Sequence, residues 1–214
     1  MEQIPLFPLN SVLFPGWPLP LHIFEPRYLQ MTQHCVSEDI PFGVVLLQEG
    51  KPEGDRKVKP YRVGCTARIR QIQNLEDGRL LIMTIGEKRF RIHRLHREQP
   101  YLEASVEYIQ FKQEAADATQ AAADDLYPIF ADFLDILSEM DDTVQINSSN
   151  IPVDPETLSF TAAALLQTSM RTKQSMLEAR KLTSLLNYLQ RIYRHEIGLL
   201  QQFPTQEMGN FSVN

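Results

Sequence analysis

His93 and His96 stand three residues apart, flanked by Arg94 and Arg97. On a helix that spacing would offer two imidazoles to one metal ion. The surrounding run, Glu87–His96 (EKRFRIHRLH), alternates like a strand, and there residues i and i+3 point to opposite faces. The pair therefore reads as surface basic residues, and no metal is expected. Glu25 and Arg27 flank Pro26 and read as an ion pair or helix cap rather than an acid–base couple. Ser105 and Ser159 have no base at a recognisable spacing, so neither reads as a nucleophile. Cys35 and Cys65 form no CxxC pair and no zinc-spaced cluster. They read as buried, reduced thiols, which suits a reducing cytosol. No GxxxxGK[ST] loop is present to cradle nucleotide phosphates, and no cofactor is expected.

Two sets of residues could bind rather than react. Arg68, Arg70, Arg89, Arg91, Arg94 and Arg97 would form a basic stripe if they lie on adjacent strands, and such a stripe could contact RNA. The competing reading pairs them at solvent-facing positions with Glu76, Glu87 and Glu103. The second reading is favoured, because the sequence pI is about 5.4 and no aromatic RNA-binding motif is present. Charge is also unevenly placed: residues 1–112 carry a net +2, residues 113–214 a net −8, and no Lys or Arg occurs between Gln113 and Met170. An acidic half of that kind repels phosphate backbones and argues against nucleic acid as the partner. Phe14 and Trp17 form the second set. They bracket Pro15-Gly16, and Trp17 is the single tryptophan. Rigid aromatics on a turn make good anchors for an extended peptide, with Pro18 and Tyr28 as neighbours in the candidate site. The alternative is that they plug the end of a barrel.

Strands and turns must position these residues. Ile4–Phe24 is a 21-residue run without a fixed charge, long enough to cross a bilayer. Pro5, Pro8, Pro15, Pro18 and Pro20 exclude a plain spanning helix. The opening Met1-Glu2-Gln3 lacks the basic region of a secretion signal. The run instead reads as extended chain, with Leu19, Leu21 and Ile23 on one inward face and Phe14 to Trp17 as an exposed turn. Pro26 starts a helix to about Val36, carrying Tyr28, Thr32 and Cys35 on one face. Strands follow at Pro41–Gln48, at RVGCTARIRQIQ (62–73), at RLLIMTIG (79–86), at Glu87–His96 and at Tyr101–Ile109. Asp77-Gly78 closes a hairpin between the second and third. Glu49–Arg62 is a loop rich in charge, Gly and Pro, expected to be mobile.

Near Lys112 the character changes. Glu114–Leu126 favours helix, and Pro128 is expected to kink or restart it. Asp141–Asp154 reads as a connection. Asp154-Pro155 opens another helix, and Lys173 to about Gln202 reads as one amphipathic helix. The division expected is residues 1–112 as a β-barrel, 113–204 as a helical part sharing an interface with it, and 205–214 as a flexible tail.

The run IPLFPLNSVLFPGWPLPLHIFEPRYLQM resembles the opening of the Lon N-terminal domain family. FGVVLL, VGCTARIRQIQNLEDGRLLIMTIGEKRFRI, YLEASVEYI and DPETLSFTAAALL…KQSMLEARKLTSLL fit in order, so the resemblance covers roughly Ile4 to Leu200. It implies an α+β fold, a PUA-like pseudo-barrel followed by a helical bundle ending in a long amphipathic helix. It also implies recognition of unfolded or apolar polypeptide, docked in a shallow groove between barrel and bundle, with a protease or chaperone as a further partner. RNA binding is the alternative, since PUA folds include RNA binders. Neither the ATPase nor the Ser-Lys peptidase of Lon proteases is expected here, because the phosphate loop is absent and the few residues after the bundle would leave no room for a peptidase. The expectation is thus a non-enzymatic binding module with no membrane association, cytoplasmic, or in the plastid stroma of a eukaryotic source.

Overall fold

The computed structural model describes residues 1–49, 58–140 and 151–202. The tail 205–214, the core of the expected mobile loop (50–57) and most of the connection after residue 140 lie outside the described residues. The chain forms two compact units. One combines Met1–Phe111 with Ala163–Ala179, the other Lys112–Ala162 with Arg180–Asn214.

The first unit is built on seven strands: β1 (Glu2–Leu9), β2 (Pro18–Ile23), β3 (Phe42–Glu49), β4 (Lys59–Pro60), β5 (Val63–Asn74), β6 (Leu80–His96) and β7 (Leu102–Tyr108). They are ordered β1-β7-β6-β5-β3-β4, and β1 also pairs with β3, so five strands close into a ring. The closing β1–β3 pair is parallel, with Leu6 opposite Gly43 and Leu9 opposite Leu46. A parallel pair needs a crossover, and helix α1 (Pro26–Ser37) lies in it. Pro26 occupies the first turn of α1, and Tyr28, Met31, Thr32 and Cys35 form its buried face, as the spacing predicted.

The 17-residue β6 organises the unit. Its second half, Phe90 to His96, pairs with β7 inside the ring. Its first half, Leu80–Ile85, pairs with β2 instead. The far end of β5 pairs along the same half, Ile72 opposite Ile82 and Asn74 opposite Leu80. A three-stranded ribbon, β2-β6-β5, therefore extends beyond the closed ring. The Asp77-Gly78 hairpin forms as expected: Gly78 has φ +80, and the Leu75 amide donates to the Arg79 carbonyl at 2.9 Å. One apolar cluster holds Phe7, Ile23, Met31, Cys35, Phe42, Cys65 and Ile82, with Leu19 and Leu21 packed against it. A second holds Ile4, Leu6, Phe90, Ile92, Ala104 and Val106.

Helix α4 (Met170–Leu177) belongs to this unit. The Gln174 side-chain amide donates to the Val63 carbonyl at 3.0 Å. Arg89 donates to the carbonyls of Leu177 at 3.0 Å and Ala179 at 2.8 Å. The segment that periodicity reads as one long final helix is thus two, because the chain breaks after Leu177 and restarts as α5 (Leu182–Gln202).

In the second unit, α2 (Ala116–Met140) runs through Pro128 as a single helix, not restarting there. It packs on α5: the rings of Phe130 and Phe133 lie 5.1 and 4.8 Å from that of Tyr193. Tyr193 donates to the Ala162 carbonyl of α3 (Pro155–Leu165) at 2.7 Å. Glu114 accepts from the Leu182 and Thr183 amides at 2.7 and 3.2 Å. Those are amides that a helix N-terminus leaves without intrahelical partners.

Candidate functional site

The aromatic turn is built differently from its sequence reading. Pro15 and Gly16 take the central positions, Gly16 has φ +76, and the Trp17 amide donates to the Phe14 carbonyl at 3.1 Å. Proline followed by a positive-φ glycine marks a type II turn. Its backbone is fastened to β6: the Gly16 amide donates to the Gly86 carbonyl at 2.8 Å, and the Gly86 amide to the Trp17 carbonyl at 2.9 Å. This fastening turns Phe14 inward, where it is 1% exposed, so Phe14 is not part of an exposed turn. Trp17 is half-buried against the apolar cluster. Tyr28 is buried as well, its ring 4.2 Å from that of Phe7 and under the Arg27 guanidinium. Burial pushes its phenol up to about 12, with Arg27 opposing and Glu25 adding to the shift. Of the four candidate peptide-binding residues, Pro18 alone is classed as exposed.

The arginines do not form a free stripe. Arg68 pairs with Glu87 and Asp39, each at 3.1 Å. Arg70 reaches Glu87 at 3.6 Å, and Arg91 reaches Glu107 at 3.8 Å. Arg89 is 3% exposed, with its guanidinium 3.9 Å over the Phe111 ring. Arg89 is therefore a structural clasp and not a surface contact. The acidic partners also differ from the expected set, because Glu107 takes part while Glu103 accepts from Gln3 at 3.1 Å. His93 lies 3.1 Å from Glu107, and His96 lies 2.8 Å from Ser105. No cluster of three or more His, Cys, Asp or Glu suited to a metal occurs among the described residues.

What the structure does assemble is the outer face of the β2-β6-β5 ribbon. Residues paired across strands project to the same face. The register aligns Pro20, Met83 and Gln71 in one row and His22, Leu81 and Gln73 in the next, with Pro18 beside Ile85. Leu21 and Ile82 alternate with these and turn to the core. The Pro20 and His22 rows carry no carboxylate, ammonium or guanidinium, whereas Arg68 stands opposite Ile85; the two uncharged rows, with Leu21, Ile72 and Ile82 between them, line an open groove of about 740 Å³. Leu81 is 41% exposed, and Phe24 beyond the strand end is 52% exposed. The Phe24 ring lies 5.6 Å from that of His22. By contrast, the cleft lined by Arg27, Tyr28, Arg97 and Tyr101 holds about 30 Å³, the share of one water and too little for a side chain. The sequence reading missed Leu81 and Met83. The available signal was RLLIMTIG, apolar at both strand phases although only one phase can face a core.

The family model described as the ATP-dependent protease La (LON) substrate-binding domain matches residues 3–195. The chain belongs to that family. The Lon protease of Methylocella silvestris is 26% identical over 198 residues, covering 92% of this chain and 24% of the relative. The Lon protease of Escherichia coli is 25% identical over 200 residues, 93% of this chain and 25% of its own length. The chain thus spans about a quarter of the length of these relatives. Among solved structures, the Lon N-terminal domain protein from Xanthomonas campestris matches with a TM-score of 0.63 at 25% identity, over 88% of this chain and 97% of its own. The N-terminal domain of the Mycobacterium avium complex Lon protease matches at 0.70 and 19% identity, over 90% and 98%, and supports the fold alone. No helix among the described residues is long and apolar enough to cross a membrane.

Proposed function

We propose that this chain is a non-enzymatic module that holds unfolded or apolar polypeptide on the outer face of the β2-β6-β5 ribbon, as the substrate-recognising part of, or an adaptor to, a proteolytic system. One observation carries this reading: a groove of about 740 Å³ whose lining on β2, β5 and β6, with Pro20, Leu81 and Met83 in it, has no carboxylate, ammonium or guanidinium, in a chain whose family is described as substrate-binding. Each Leu- or Met-sized contact buried there is worth roughly 1.5–3 kcal/mol. Association itself costs at least about 4 kcal/mol in lost freedom. A few such contacts therefore give weak, exchanging binding, which suits a module that hands its client on. A charged segment would lose hydration on this floor and gain no partner.

The test is the affinity of a fluorescent, reduced and carboxymethylated unfolded protein for the parent chain and for Leu81→Asp. Leu81 is exposed, so the variant should melt like the parent while binding falls at least tenfold. Unchanged binding would remove the groove from consideration. Added salt should change parent affinity little. A steep loss with salt would instead indicate phosphate-like contacts and an RNA ligand. Purified protein is expected neither to hydrolyse ATP nor to cleave casein.

A further inference from the structure

The ribbon has two long edges, and they differ. The β2 edge carries Pro18 and Pro20, which have no amide hydrogen, so a further strand cannot add there. At the other edge, β3 pairs with β5 no further than Ala67, opposite Phe42. From Gln71 to Asn74, β5 has β6 on one side and, among the described residues, no backbone partner on the other. Gln71, Ile72 and Gln73 are exposed. Ile72, at 40% exposure, is a large apolar side chain at this rim.

We infer that the open β5 edge, Gln71–Asn74, takes an extended polypeptide segment by backbone pairing, adding a fourth strand to the ribbon. This rests on the function proposed above and specifies how the client is held. An added strand would continue the rows of Gln71 and Gln73, so every second client side chain would extend the docking face. Both strands that β5 already pairs with run antiparallel to it, and for an occupant of that direction charge sets the sequence. Arg70 stands at one end of the edge and Glu76 at the other, with five uncharged residues between them. An antiparallel segment begins beside Glu76 and ends beside Arg70. The fitting occupant has an uncharged, β-prone middle, a basic residue before it and an acidic residue after it. A second copy of the chain would need no such polarity in an added peptide and would appear as self-association.

The experiment uses the full chain and three probe peptides. The first has lysine, then alternating threonine and valine, then glutamate. Its twin carries N-methyl groups on every second amide, which block strand pairing and spare the side chains. A third exchanges the lysine and the glutamate. The readouts are affinity and the exchange of individual backbone amides by NMR. The first probe should bind and slow amide exchange within Gln71–Asn74 at least tenfold, while the other two bind at least fivefold more weakly. If the methylated twin binds equally and no amide in that stretch slows, strand addition is wrong while docking on the face stands. If neither the peptides nor the unfolded protein bind, both readings fail. If the same amides slow with protein concentration alone, a second copy occupies the edge and the inference is overturned.

Discussion

Gly86→Ala is the perturbation most sharply set by the structure. A Cβ at position 86 would stand 2.2 Å from the Phe14 carbonyl oxygen and 3.2 Å from the Cys65 sulfur. The oxygen belongs to the turn backbone, so the turn must retreat by roughly 1 Å to reach ordinary contact. That motion stretches the two hydrogen bonds fastening Gly16 and Trp17 to Gly86, now 2.8 and 2.9 Å. Losing both costs about 1–3 kcal/mol. Crowding adds about 1–3 kcal/mol, and the stiffer unfolded chain returns about 0.4–1 kcal/mol. The net loss of about 1–6 kcal/mol is a sizeable part of a small domain's stability of about 5–15 kcal/mol. Urea melts followed by Trp17 emission read both effects, because the chain has one tryptophan. The control is Gly78→Ala, where φ is +80 and nothing lies within 4 Å. It should lose only about 1–2 kcal/mol, from backbone strain. If Gly86→Ala melts no earlier than Gly78→Ala and its emission matches the parent, the turn is not fastened as described.

Arg89→Met should destabilise the first unit by about 3–6 kcal/mol, because two charge-assisted hydrogen bonds to the Leu177 and Ala179 carbonyls vanish; faster amide exchange through α4 checks it. Glu114→Ala should cost about 0.5–2 kcal/mol by uncapping α5, seen as a lower melting temperature. Burial pushes the Cys35 thiol from 9.0 up to about 12 and raises Cys65 further, so neither should react with a disulfide reagent at pH 8 until the chain unfolds. The raised folded-state value fixes the sign. The contribution is complete below pH 9, falls as the pH climbs toward 12, and Cys35→Ala should flatten that fall.

Much of the first unit could be read from the sequence because its signals are local. Five prolines removed a spanning helix from consideration, Asp77-Gly78 announced its hairpin, and Pro26 announced α1. Long-range facts left no such trace. Nothing local says that Phe14 turns inward, since that follows from the bonds between its turn and Gly86, 72 residues after Phe14. The alternation around Arg89 assigned it to solvent, yet the returning α4 segment covers that side of β6. The break after Leu177 was hidden because Glu178-Ala179-Arg180-Lys181 holds neither proline nor glycine, so no local signal marks where α4 ends. The docking face was half visible: the inward set Leu19, Leu21 and Ile23 was read, but the outward partners depend on strand register, which periodicity alone does not supply.

The most direct measurement is a methyl NMR titration of the full chain with the reduced, carboxymethylated unfolded protein. Leu81 and Met83 methyl resonances should shift together, with a single saturating curve, while those of buried Leu6 and Val106 stay in place. Shifts confined to resonances away from β2, β5 and β6, or saturable binding that leaves Leu81 and Met83 unmoved, would contradict docking on the ribbon's outer face.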